Sequence, residues 1–354
     1  MNPFFYESLP MRVTFGVGSQ VKVKEEVQHV GARSALVLCT EAQRGSAEHV
    51  ATLLGSRAAG IYDKAQMHVP IETAEEARAL ADSLGADCCV AVGGGSTIGL
   101  GKAIALTSGL PIIAIPTTFA GSEMTPIYGI TEARLKRTGR DISVLPKSVI
   151  YDPDLSITLP PRIAATSGLN AIAHAVEALY SADANPITSL MAEESIRTLA
   201  RSLPRLMAAP TDRAAASDAL YGAWLAGACL GAVGMAIHHK LCHTLGGTFN
   251  LPHAEMHTIV LPHSVAYNRE AAPEAMARIS RALGGVEAAS GLYDLAASLG
   301  VPMSLSDIGM PADGLELAAQ LATQNPYYNP RPIDREGILE LLTHAYHGRR
   351  PVHS

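Results

Sequence analysis

The sequence has no internal repeat, no low-complexity tract and no apolar run long enough to span a bilayer, which excludes repeat arrays and membrane-spanning helices. The first residues carry no basic stretch followed by an apolar segment and a cleavage site, so the expectation is a soluble, cytoplasmic protein. Charge is sparse: charged residues make up 17% of the chain and the formal net charge is −6. That balance offers nothing to a nucleic-acid backbone or an anionic membrane surface. The one late basic run, Arg349-Arg350, sits in a tail expected to fray. The five cysteines, Cys39, Cys88, Cys89, Cys229 and Cys242, are odd in number and lie in apolar stretches. They read as reduced, buried thiols of an intracellular protein.

With 354 residues the chain is too long for one ordinary core, and two domains are expected. Up to about residue 160, short β-rich runs alternate with helical patterns. Strands are expected at Ser34 to Cys39, Gly60 to Tyr62, Asp87 to Val92 and Pro111 to Ile115, with helices at Ser46 to Leu54 (Ser46 as cap), Glu72 to Leu84 and Ser96 to Leu106. Continuous apolar strands joined by helices argue for a parallel sheet covered on both faces. Tyr128 to Leu145, with the basic cluster Arg134 to Arg140, breaks the rhythm; it resembles an inserted hairpin, but a solvated loop is the expectation. After Pro160-Pro161 the pattern turns helical, at Ile163 to Tyr180, Ile187 to Met207, Ala214 to Leu230, Ala271 to Leu283 and Val286 to Leu299. The fold class is therefore α/β plus all-α, with residues 1–160 a nucleotide-binding domain and 161–354 a helical domain carrying substrate and catalysis. A site is expected in the cleft between them.

Gly93-Gly94-Gly95-Ser96 follows an apolar strand and opens a helix. Glycines let backbone amides approach a phosphate, and the helix N-terminus adds partial positive charge. The turn lacks the Gly-x-Gly-x-x-Gly dinucleotide spacing, and no acidic residue stands at the ribose-binding distance. Pro116-Thr117-Thr118, followed by Gly121-Ser122-Glu123, brings two hydroxyls to the same sheet edge, so both segments could flank one nucleotide.

Of thirteen histidines, six fall between His238 and His263. Asn170 and His174 share a helix face, and His239 and His243 repeat the spacing. His253 follows Pro252, read as a loop position. Histidines from three segments can converge on one point, as a metal or acid/base site requires. His238, His257 and His263 are weaker candidates, His263 reading as the cap of a strand-like run. His29, His49, His68, His344, His347 and His353 read as exposed.

The glycine turn, Pro116-Thr117-Thr118 with Gly121-Ser122-Glu123, and Asp152-Pro153 with Leu159-Pro160 resemble the iron-containing alcohol dehydrogenase superfamily. So do Gly168-Leu169-Asn170-Ala171 with His174-Ala175-Val176-Glu177, and His239 to Gly246 with Pro252-His253, in order over nearly the whole chain. The resemblance implies a dehydroquinate synthase-like architecture, NAD(P) in the cleft and a homodimer. In metal-dependent members an aspartate and three histidines hold iron or zinc; the matching positions here are Asn170, His174, His239 and His253, so the aspartate is missing. Gly99 also departs, standing where members often carry an aspartate. Asn170, Pro252-His253-Ala254-Glu255-Met256-His257 and Asn325-Pro326-Tyr327-Tyr328-Asn329-Pro330-Arg331-Pro332 are most similar to the maleylacetate-reducing branch. That implies reduction of maleylacetate to 3-oxoadipate by NADH or NADPH in aromatic-compound degradation, with no metal.

Loss of the carboxylate weakens a divalent cation's hold, although three histidines alone can hold zinc. Hydride addition to the alkene carbon remote from the ketone would place charge on the ketone oxygen, where hydrogen-bond donors can replace a Lewis acid. His243 and Tyr327 are assigned as those donors. Asn170, His174, His239 and His253 line a pocket for the dianion, and Arg331 is a candidate carboxylate clamp. Tyr327 is preferred to Tyr328 for its place directly after Asn325-Pro326. For the cofactor, neutral Thr40, followed by Glu41 and Arg44, stands where NAD-selective relatives often carry an aspartate, so both cofactors are expected. Lys147 matches a family lysine near the nicotinamide ribose. Three other readings stay open: a metal-dependent alcohol or polyol dehydrogenase, a dehydroquinate synthase-type lyase, and a non-catalytic nucleotide-binding protein.

Overall fold

The computed structural model describes residue 4, residues 6–132 and residues 135–352; Arg134 and His353, named above, lie outside the described residues. The chain divides into two compact units. One is Ser8–Leu159 with Thr211–Leu220, the other Pro160–Pro210 with the residues from Tyr221 on.

The first unit is built on six parallel strands: β1 (Arg12–Phe15), β2 (Ala35–Leu38), β3 (Ala58–Tyr62), β4 (Cys88–Gly93), β5 (Ile112–Pro116) and, after an antiparallel hairpin of β6 (Ile127–Glu132) and β7 (Leu135–Arg140), β8 (Ser148–Tyr151). Their order is β1-β8-β5-β4-β2-β3. The central strands read as unbroken apolar runs because helices cover both faces. Val37, Val90, Val92 and Ile113 pack under α1 (Val23–His29) and α2 (Arg44–Leu54), whereas Leu36, Leu38 and Cys89 meet α3 (Ile71–Ser83) and α4 (Gly95–Ser108). Alternate residues of one strand thus serve two cores.

Several expectations change. The loop reading of Tyr128 to Leu145 gives way to the β6–β7 hairpin, whose Ile127↔Arg140 to Glu132↔Leu135 register is continuous. Two strands not expected from the sequence, β1 and β8, are only four residues each, and their backbones pair from Arg12↔Ser148 to Phe15↔Tyr151. Ser46 is no cap: α2 starts two residues earlier, with Gln43 at its N-cap. All five cysteines are buried and unpaired.

Lys102 of α4 is buried among neutral acceptors, and burial brings its pKa down to about 7. Its ammonium donates to Ser122 O at 2.7 Å, Thr125 Oγ1 at 2.9 Å and Ile127 O at 2.7 Å, and so fixes α4 to the segment after β5. The next carboxylate, Glu123, accepts instead from the Tyr151 hydroxyl at 2.8 Å. Lys102→Met leaves Ile127 O without its donor, at about 1–3 kcal/mol, while Ser122 O keeps the Thr125 amide and hydroxyl. It is expected to lower the urea midpoint at an unchanged m-value; an unmoved midpoint would show the ammonium to be dispensable.

The second unit is helical: α6 (Pro161–Leu179, after the short α5, Pro153–Ser156, of the first unit), α7 (Pro186–Ala208), α8 (Arg213–Ala232, its first turns belonging to the α/β unit), α9 (Ile237–Phe249), α10 (His253–Asn268), α11 (Pro273–Ala282), α12 (Ala288–Ser298), α13 (Leu315–Ala322) and α14 (Arg335–Tyr346). Ala164 to Leu179 of α6 is buried throughout, and a Cβ on Gly168 would stand 2.5 Å from Leu203 Cδ2, so glycine permits the close approach of α7. Arg350 is not loose: its guanidinium makes two 2.7 Å bonds to Asp294.

Candidate active site

In the α/β unit the glycine turn joins β4 to α4. Gly93 ends β4 and Gly94 is the N-cap of α4, with no side chain capping the amides that follow. Such uncapped amides, at the positive end of a 14-residue helix, are groups that can receive an anion. Gly94 must be glycine because a Cβ there would lie 2.8 Å from Thr118 Cγ2, whereas the space over Gly95 is open. Thr97 Oγ1 is buried beside the turn without a partner. Ser96 occupies the first turn of α4.

Adjacent strands β2, β4 and β5 bring Thr40, the glycine turn and Thr117 to one edge, the carboxyl ends where nucleotides bind in such sheets. Gln43, which the sequence reading passed over, links them: Thr40 Oγ1 donates to its carbonyl at 3.2 Å, and its amide donates to Thr117 Oγ1. These residues fit a dinucleotide phosphate. Lys147 is a correction. Its backbone amide donates to Ile112 O, at the start of β5, so it stands at the amino-terminal edge, about 13 Å of strand away. A residue before a parallel strand and one after it cannot share a sheet edge.

In the helical unit, α6 presents Asn170, His174 and Glu177 on one face, and all three are buried. Glu177 organises the rest. Its carboxylate accepts the amides of Ala236 (2.7 Å) and His238 (2.6 Å) at the start of α9, and the Nδ1–H of His239 at 2.7 Å. Burial pushes Glu177 up to about 7, the amide bonds countering that rise, and pushes His239 down to about 3. His239 is therefore neutral near pH 7, and its contact with Glu177 is a hydrogen bond to a carboxyl group rather than an ion pair. The tautomers follow in sequence. His239 Nε2 accepts from His174 Nδ1–H at 2.8 Å, and His174 Nε2 faces the Asn170 amide at 3.4 Å. Asn170 Oδ1 is buried without a partner.

His253 is not a loop residue. Pro252 is the N-cap of α10 and His253 its first residue. It joins the cluster through His257, the ring centroids lying 4.4 Å apart, and His257 in turn lies 5.1 Å from His239. His257 and His238, ranked as weaker, thus prove central and are fully buried, while His263 is a buried residue inside α10 rather than a strand cap. His68 and His344 are half-buried rather than exposed. Glu177 was also missed; its place three residues after His174 and seven after Asn170 was the available signal.

His243 lies at the solvent side, 6.2 Å from His239 between ring centroids, and its Nδ1 is 3.0 Å from the hydroxyl of Tyr327. Asn325 adopts φ +48°, the left-handed turn that carries the chain back to α9. Burial raises the Tyr327 pKa above the usual phenol value, so the hydroxyl keeps its proton at neutral pH. Tyr328 is 54% exposed and lines a small cavity with Asp183 and Met235. Arg331 is a second correction: its guanidinium stacks 4.0 Å over the Tyr267 ring and donates to Tyr267 O. Tyr267 lies ten residues beyond His257 on α10, about 15 Å along the axis. The stacking seats the Asn325 to Pro332 segment and takes Arg331 away from the histidines.

As a cation site, the set of Asn170, His174, His239 and His253 lacks an anchoring charge: Asn170 supplies a neutral amide, and in this arrangement the His239 Nε2 lone pair accepts from His174.

Residues 10–153 match the family described as iron-containing alcohol dehydrogenase, and residues 164–346 the family described as its C-terminal part. A maleylacetate reductase of Burkholderia cepacia is 60% identical over 351 residues, covering 99% of this chain and 100% of that protein. Among solved structures, a putative alcohol dehydrogenase from Ralstonia eutropha JMP134 is 60% identical with a TM-score of 0.98. A maleylacetate reductase from Agrobacterium tumefaciens is 52% identical with a TM-score of 0.96; both cover 99% of this chain and 100% of their own.

Proposed function

This chain belongs to the iron-containing alcohol dehydrogenase family and is an oxidoreductase, and we propose that it reduces the C=C bond of maleylacetate to give 3-oxoadipate, using NADH or NADPH and no metal. The observation that carries the reading is the bonded series Glu177–His239–His174–Asn170. It supports the reading because Asn170 contributes a neutral amide where metal-using relatives carry an aspartate, which leaves the set without a formal charge to anchor a cation. The nucleotide, held through the α4 amides with Thr117 and Thr118 nearby, supplies hydride when bound.

The remaining work falls to the chain's own side chains. Addition at the alkene carbon remote from the ketone develops negative charge on the ketone oxygen. Tyr327 O–H and His243 meet that charge as hydrogen-bond donors, and His243, open to solvent, passes a proton to the carbon beside the ketone. Asn170, His174 and His253 surround the dianion without a formal negative charge of their own, and Glu177 is fully buried behind His239. Thr40 is neutral, so nothing at that position repels a 2′-phosphate, and both cofactors are accepted. Arg44, bonded to Glu48 and Asp63, is already engaged.

The test is oxidation of NADH and of NADPH by the purified protein with maleylacetate, before and after a chelator, beside metal analysis. Turnover with both cofactors, at a rate the chelator leaves unchanged, is the expected result. Dependence of turnover on stoichiometric iron or zinc would overturn the reading.

A further inference from the structure

Behind His239 and His243, α9 and α10 turn a second set of ligating side chains inward. His238, Cys242 and His257 are 0%, 1% and 0% exposed. Among the described residues they are the one group of three or more His, Cys, Asp or Glu side chains whose ligand atoms all lie within 4.8 Å of one another. We propose that His238, Cys242 and His257 form a binding site for a borderline-soft divalent cation, Zn²⁺ foremost, separate from the position of Asn170, His174, His239 and His253. The proposal does not depend on the reaction assigned above.

The donor set is one thiol and two imidazoles, the combination that selects zinc over the hard cations. The geometry is close to what zinc needs. His238 Nε2 and His257 Nδ1 are 2.9 Å apart, and Cys242 Sγ is 3.8 Å from His238 Nε2. Zinc bonds of about 2.1 Å to nitrogen and 2.3 Å to sulfur, at tetrahedral angles, separate the donor atoms by about 3.5 Å. These two spacings lie on either side of that value, and all three ligand atoms lie within 4.8 Å of one another. Water takes the fourth position.

The protons balance without a redox step. Ser264 gives its hydroxyl hydrogen to Leu261 O at 2.8 Å, so at 3.3 Å its oxygen accepts from His238 Nδ1–H. That bond holds the His238 Nε2 lone pair toward the trio, as outer-shell partners of metal-bound histidines do. In the cation-free state this lone pair accepts the Nδ1–H of His257. When a cation binds, that hydrogen moves to His257 Nε2, a buried atom with no partner, and Nδ1 becomes the ligand. The Cys242 thiol loses its proton to solvent as the Zn–S bond forms. Entry runs past His253, which is exposed and whose ring centroid lies 4.4 Å from that of His257.

Cobalt(II) is the probe, titrated into the whole reduced protein, because a thiolate-to-cobalt charge-transfer band reports sulfur ligation directly and needs no activity assay. The expected result is a saturable band that Zn²⁺ bleaches, accompanied by proton release. In Cys242→Ser the band should vanish. In His257→Asn cobalt affinity should fall by at least roughly tenfold. Absence of the band in the parent protein would overturn the proposal, as would a band that survives Cys242→Ser and so arises from another thiol such as Cys88 or Cys89. Unchanged affinity in His257→Asn would remove that residue and with it the trio.

Discussion

His243→Ala is expected to slow maleylacetate reduction by a factor of about 10²–10⁴, the range for loss of a positioned general acid. The Kd for NADH should stay within about twofold, because the cofactor-binding groups identified here lie on the other compact unit. His243 suits the role by position: its imidazole is exposed to solvent, from which it can be reprotonated, while its Nδ1 holds the Tyr327 hydroxyl at 3.0 Å. Tyr327→Phe removes one donor to the developing charge and keeps the ring that Lys240 Nζ approaches at 5.8 Å. A loss of roughly 10²-fold in kcat is expected, comparable to deleting one oxyanion donor. Because the two groups share a hydrogen bond, the double variant should fall short of the product of the single losses. Pre-steady-state measurement of nicotinamide oxidation gives the values. If neither single variant slowed the reaction appreciably, the donor assignment would be wrong.

Glu177→Ala should damage both stability and turnover. The carboxylate accepts the Ala236, His238 and His239 amides and His239 Nδ1–H, so its removal leaves four donors buried without that partner, at about 1–3 kcal/mol for each unmet group. Relief of the carboxylate's own burial offsets part of that, and a net loss of about 3 kcal/mol in unfolding free energy is expected by urea denaturation. Glu177→Gln, of equal volume, tests positioning apart from folding. It keeps one acceptor but turns an N–H toward groups that also donate, so His239 and His174 lose their fixed tautomers. A fall of roughly 10²-fold in kcat with a smaller change in the denaturation midpoint is expected, since small misplacements of reacting groups are costly. A glutamine variant with parental kcat would reduce Glu177 to a helix cap.

Much of this was legible because it rests on local pattern. The unbroken apolar runs of β2, β4 and β5 announced a parallel sheet, and Gly93-Gly94-Gly95 announced the strand–helix junction, because backbone geometry there depends on a few adjacent residues. Helical spacing likewise brought Asn170 to His174 and His239 to His243. The elements missed were those whose reason is non-local. Strands β1 and β8 are four residues each; β1 exists through pairing with chain more than a hundred residues away, and β8 lies between it and β5. His253 read as a loop because Pro252 resembles a break, although proline also stands readily at the start of a helix.

The sequence alone determined the chemistry on offer: a glycine turn for phosphate, imidazoles in number, and an amide at Asn170 where a carboxylate would anchor a cation. Only the tertiary structure decided how those groups are used. Glu177, visible in the sequence only as the end of the motif His174-Ala175-Val176-Glu177 and with no role assigned, becomes the anchor of the histidines because the start of α9 is folded onto it. Lys147 and Arg331, basic residues well placed in a motif, are carried to the wrong sheet edge and onto the Tyr267 ring. A hydrogen bond is directional and short-ranged, so which lone pair remains for a substrate, a proton or a cation is set by the partner that the fold delivers.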